Sequence, residues 1–103
     1  MTAENWTRLH DATLESLELL WPSGNVELRI RTGDSTHPLR LVAASAVRRI
    51  GCERRMPWGP SASINEVRGP AVADDGTSVL EIEMQSGDLL RIEAGAFTLR
   101  DTE

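Results

Sequence analysis

The 103-residue chain has no lysine, no tyrosine, one phenylalanine (Phe97) and one cysteine (Cys52). A single thiol excludes an internal disulfide and fits a reducing compartment. No apolar run approaches the ~18 residues that a membrane-spanning helix needs, so no membrane partner is expected. No charged-then-apolar leader opens the sequence, and the expected location is the cytoplasm. The two histidines are His10 and His37. No second histidine stands at ligand spacing, and no His-rich or Cys-rich cluster exists, so neither a metal nor a cofactor is expected. A phosphate-cradling glycine loop, a Gly-x-Ser-x-Gly elbow and a His-Glu-x-x-His helix are all missing.

The net charge of −5 is unevenly spread. Residues 29–55 carry seven arginines (Arg29, Arg31, Arg40, Arg48, Arg49, Arg54 and Arg55) against Asp34 and Glu53. The rest of the chain carries four arginines against fourteen acids. Guanidinium is planar, weakly hydrated and suited to bidentate pairing with carboxylates. The basic middle can therefore pair with the acidic flanks or meet an acidic partner. Nucleic acid is a poor fit, because single-strand binders interleave basic grooves with stacking aromatics. Here only Trp58 lies near the basic stretch, and the chain is acidic as a whole.

What the sequence does contain is a hairpin pattern, twice. Leu17-Glu18-Leu19-Leu20-Trp21 leads through Pro22-Ser23-Gly24-Asn25 into Val26-Glu27-Leu28-Arg29-Ile30. Leu80-Glu81-Ile82-Glu83-Met84 leads through Gln85-Ser86-Gly87-Asp88 into Leu89-Leu90-Arg91-Ile92. Apolar–polar alternation on both sides of a glycine-containing turn marks a half-buried antiparallel hairpin. In the first, Leu17, Leu19 and Trp21 share a face. Further strands are expected at 39–42, 47–53, 61–67, 77–84 and from 89 to about 99, with Arg68-Gly69-Pro70 as an interruption. Residues 2–10 fit a short helical turn, with Trp6 and Leu9 on one side. The expectation is one domain over 1–103, mainly all-β, with six or seven antiparallel strands linked by hairpins. A sandwich, a curled sheet and an open barrel all satisfy this pattern.

Candidate sites are few. The segment Arg54-Arg55-Met56-Pro57-Trp58-Gly59-Pro60-Ser61 is stiffened by two prolines and sets Trp58 beside two guanidinium groups. Tryptophan and arginine are the residues most enriched in binding hot spots. Trp58 either faces a partner or folds back over the core. Ser61, Ser63 and Asn65 alternate along the next strand, giving a polar face that is either solvated or the floor of a shallow pocket. His10-Asp11 is the one histidine–carboxylate neighbour pair, but adjacent residues on an extended chain point to opposite faces. Cys52 shares an alternating face with Ile50 and is expected to be buried and inert.

Three stretches carry a resemblance: residues 6–14 (Trp-Thr-Arg-Leu-His-Asp-Ala-Thr-Leu), residues 57–65 (Pro-Trp-Gly-Pro-Ser-Ala-Ser-Ile-Asn) and the closing hairpin over 80–93. Together they resemble small all-β bacterial proteins that share a His-Asp-Ala opening and a Pro-Trp-Gly-Pro-Ser loop, a group with no function assigned. The resemblance implies no catalytic residue. It singles out His10, Asp11, Trp58 and Ser61 as positions to test.

The expected function is therefore a non-catalytic protein-interaction domain, binding another protein or a second copy of itself. Its contact is expected at Arg48, Arg49, Arg54, Arg55 and Trp58. The alternative is a small-ligand module with a pocket near Trp58, Ser63 and Asn65. An enzyme using His10 and Asp11 ranks third, because no third polar group is identified.

Overall fold

The computed structural model describes residues 6–33, 38–55 and 61–102. Trp58 and His37 lie outside them. After a 3-10 turn at Trp6–Leu9, the described chain forms eight strands. These are β1 (Thr13–Leu20), β2 (Asn25–Arg31), β3 (Leu39–Ser45), β4 (Arg49–Cys52), β5 (Ile64–Val72), β6 (Ser78–Met84), β7 (Leu89–Ala94) and β8 (Ala96–Thr102). Two four-stranded sheets result, in the orders β1-β2-β3-β8 and β4-β7-β6-β5. Every neighbouring pair is antiparallel. The sheets face each other without closing into a barrel.

The alternation read from the sequence is the alternation of burial. Val26, Leu28 and Ile30 of β2 face inward against Leu80, Ile82 and Met84 of β6 and Leu90, Ile92 and Ala94 of β7 in one core. Trp6, Leu9 and Ala12 join that core from the N-terminal turn.

Two corrections concern strand limits. The run from 89 to 99 is two strands in different sheets, broken at Gly95. There the backbone N–H of Gly95 donates to Ser45 and Ala46, and a Cβ on Gly95 would stand 3.0 Å from the Cβ of Ala46. The β3–β4 and β7–β8 segments therefore cross between sheets together, and the corner admits glycine because the two chains touch. The strand ending at 67 runs on to Val72. Arg68-Gly69-Pro70 is absorbed as a register shift against β6 instead of ending the ladder.

The sheets are also stitched at the start of β1. Leu14 N–H donates to Ala62, and Ile64 N–H to Ala12, both at 2.8 Å, around a Thr13–Ser63 bridge. The stitch ends at a bulge. Leu14 opposes Ile30 and Ser16 opposes Arg29, which leaves Glu15 as the extra residue. A bulge bends its strand and re-aims the side chains beyond it. Here it keeps both Leu14 and Leu17 on the inner face, although their spacing is odd.

On the outer face of the second sheet, arginines and glutamates form a ladder. Arg68 opposes Glu81 and Glu81 opposes Arg91. Arg91 Nη1 donates to Glu81 at 2.7 Å, and Arg68 donates to Glu81 and Glu83 at 3.3 and 3.2 Å. The hydrogen bond from Arg91, then that from Arg68, holds the Glu81 carboxyl below the ordinary glutamate range. A depressed carboxylate adds stability above its unfolded pKa, and that stability is lost as pH falls through the folded pKa. Glu81→Gln is therefore expected to lower the melting temperature at pH 7, with the gap to wild type closing in acid below the normal carboxylate range. Melting curves across pH check this, and a gap that persists there contradicts it.

Candidate functional site

The four arginines expected to form one contact are divided between the two ends of β4. Arg48 Nη1 donates to Thr77 Oγ1 at 3.2 Å, and Arg49 lies 4.0 Å from Glu93. At the other end Arg55 pairs with Glu53 at 3.2 Å, while Arg54 lines a cleft between the sheets. Two of the four, Arg49 and Arg55, thus meet acids of the same domain, and Arg48 meets a hydroxyl.

The cleft has a volume of about 380 Å³. Leu14, Glu15, Ser16 and Leu17 of β1 line it together with the adjoining Ser61 and Ala62, and Cys52, Glu53 and Arg54 line it from the end of β4. Met84, Asp88 and Leu90 lie between them. Its existence explains a correction. Cys52 opposes Leu90 and so points to the inner face, as its spacing from Ile50 implies. It is nevertheless exposed, because the first sheet does not reach across to cover it. Of the predicted polar trio only Ser61 reaches the cleft. The Ser63 carbonyl accepts from Gln85 N–H, and Asn65 Nδ2 donates to Glu83 at 3.1 Å.

His10 and Asp11 are closer than adjacent residues on a strand can be. Asp11 adopts a φ of 67° after the 3-10 turn, in the left-handed region that aspartate tolerates. His10 Nε2 consequently lies 3.5 Å from Asp11 Oδ2. His10 Nδ1 donates to the Asn65 carbonyl, and Gln85 Nε2 donates to Asp11 Oδ1 at 2.6 Å. Both side chains are exposed, and neither lines the cleft. The arrangement ties the N-terminal turn to β5 and to the β6–β7 turn. Among the described residues, no group of three or more His, Cys, Asp or Glu is placed to hold a metal ion. No helix among them is long and apolar enough to cross a membrane.

A second surface feature lies on β1, where the sequence places Leu17, Leu19 and Trp21 on one face of a half-buried hairpin. Beyond the stitch, the outer edge of β1 from residue 15 to 20 has no strand beside it among the described residues. Its leucines are uncovered on both faces: Leu17 is 37% exposed, Leu19 38% and Leu20 39%. Trp21 sits in the turn, not on the strand face with Leu17 and Leu19, and is 82% exposed.

No family model, curated protein or solved structure matches this chain.

The signal for the edge is present in the sequence. Leu19-Leu20-Trp21 breaks the period of two, so at least one large apolar side chain must leave the inner face. The arginine segment stands out by residue type, whereas the edge is recognisable only by pattern failure.

Proposed function

We propose that the chain is a non-catalytic, cytoplasmic protein-interaction domain whose contact surface is the free edge of β1 together with the cleft beside it. One observation carries this reading: a sheet edge of six residues, 15–20, that has no strand beside it among the described residues and exposes its leucines. Soluble proteins blunt such edges with lysine, proline, bulges or a covering element, because an open edge recruits another strand. This chain has no lysine to spend there, and its bulge lies at the beginning of the edge. An exposed apolar patch at a strand edge marks a binding surface or an aggregation hazard.

Arg54 and Ser61 remain part of the reading, since both line the cleft beside Leu17. Arg48 and Arg49 stand at the far end of β4 and contribute less. The second reading, a small-ligand module, is supported by the cleft itself. Its volume falls within the ~300–1,000 Å³ typical of small-molecule sites, with an apolar interior and a few polar groups. A thermal shift with a metabolite that also protects Cys52 from alkylation would favour it.

The test is capture from the source lysate with three folded baits. These are the wild type, Leu19→Lys with Leu20→Lys, and a variant with Arg48, Arg49, Arg54 and Arg55 changed to Glu. The expected result is a partner retained by wild type and lost by the leucine variant. A partner kept by the leucine variant and lost by the arginine variant would overturn the placement of the contact.

A further inference from the structure

We infer that the partner presents an extended segment of alternating apolar and basic residues, which adds a strand to β1 with its cations beside Glu18. The inference rests on the reading of the β1 edge as a protein contact, and charge decides between occupants.

Cross-strand pairing places residues that oppose one another on the same face. Leu17 and Leu19 oppose the buried Leu28 and Val26, so they face inward. Glu18 opposes Glu27, so both point outward. Like charges directly opposite each other destabilise a sheet. Among the described residues neither carboxylate has a cationic partner. Arg29 lies on the same outer face two residues from Glu27 but forms no ion pair with either among the described residues, and Arg31 is taken by Glu15 at 2.6 Å. Glu27 in turn opposes Ala43 on β3, which offers it nothing. A strand laid along β1 would put its outward residue next to Glu18, where a lysine or arginine relieves the repulsion. Its inward residues would meet Leu17, Leu19 and the apolar interior of the cleft at Met84 and Leu90. Strand addition takes its affinity from main-chain hydrogen bonds and its specificity from alternate side chains. A second copy of this chain is disfavoured as occupant, because it would bring its own Glu18 and Glu27 onto the same outer face.

The probes are three capped heptapeptides. One alternates valine with lysine or arginine, one alternates valine with glutamate, and one has the composition of the first with its cations in a block. Each is titrated at physiological salt while backbone amide shifts are followed. The basic alternating peptide is expected to shift the amides of residues 15–20 and to bind at least about tenfold tighter than the acidic one, as like-charge juxtaposition is costly. Changing Glu18→Lys with Glu27→Lys, both on the outer face, is expected to reverse the preference. Equal binding of both alternating peptides at the edge would overturn the charge inference and leave the edge reading standing. Equal binding of the block peptide would overturn it as general attraction to an acidic protein. Concentration-dependent dimerisation through residues 15–20 would overturn it in favour of a second copy. No shift at the edge with any peptide would overturn the inference; the edge reading itself fails on separate results, a captured partner that survives the leucine substitutions or leaves residues 15–20 unprotected.

Discussion

Replacing Asp88 by alanine is expected to cost about 2–4 kcal/mol, since a buried donor left without an acceptor costs roughly 1–3 kcal/mol and a part-buried one adds a smaller loss. Asp88 is 1% exposed, yet it is polar and lies at the interior of the cleft. Its Oδ2 accepts from Ser86 Oγ at 2.9 Å, and its Oδ1 accepts from the backbone N–H of Arg55 at 3.0 Å. The first bond shapes the β6–β7 turn, and the second anchors the chain just after β4. Alanine abandons both donors and releases the wall of the cleft that carries Glu53 and Arg54. Asp88→Asn keeps one acceptor oxygen and is expected to lose less. Urea unfolding of the two variants measures the difference. A loss under about 0.5 kcal/mol for the alanine variant would show that the anchor is dispensable, because that is the range of ordinary surface substitutions.

Gly69→Ala is expected to destabilise by roughly 2–4 kcal/mol, combining a strained backbone with overpacking. Gly69 has a φ of 93°, where a side chain is disfavoured. A Cβ there would also lie 2.5 Å from the Val79 carbonyl oxygen and 2.9 Å from the Ala71 nitrogen. Both obstacles are backbone, so neither can swing aside. The loss should reach the neighbouring Arg68, whose bonds to Glu81 and Glu83 depend on the register that this irregularity sets. Gly51→Ala is the control, since nothing lies within 4 Å of its added Cβ. It is expected to change stability by no more than about 0.5 kcal/mol. Similar melting temperatures for the two variants would contradict the account of β5.

The hairpins were legible because both signals were local. Alternation assigns the faces, and Pro22-Ser23-Gly24-Asn25 and Gln85-Ser86-Gly87-Asp88 supply the turns. The corner at Gly95 was not, because what requires glycine there is Ala46, about fifty residues away in sequence. Cys52 shows the limit of the same logic. Its face follows from Ile50, but whether that face is covered depends on the extent of the opposite sheet. The bulge at Glu15 hid Leu14 and Leu17 as inner-face neighbours, since a period of two puts them on opposite sides. The close approach of His10 and Asp11 depends on one left-handed residue that no periodicity announces.

The proposed contact surface is the outer edge of β1. Its most direct test is backbone amide hydrogen exchange of the domain alone and bound to its captured partner. Exchange is expected to slow most for residues 15–20, where edge amides gain acceptors, with the remaining strands little changed. Protection confined to residues 48–55, with the β1 edge exchanging as fast as in the free domain, would contradict it.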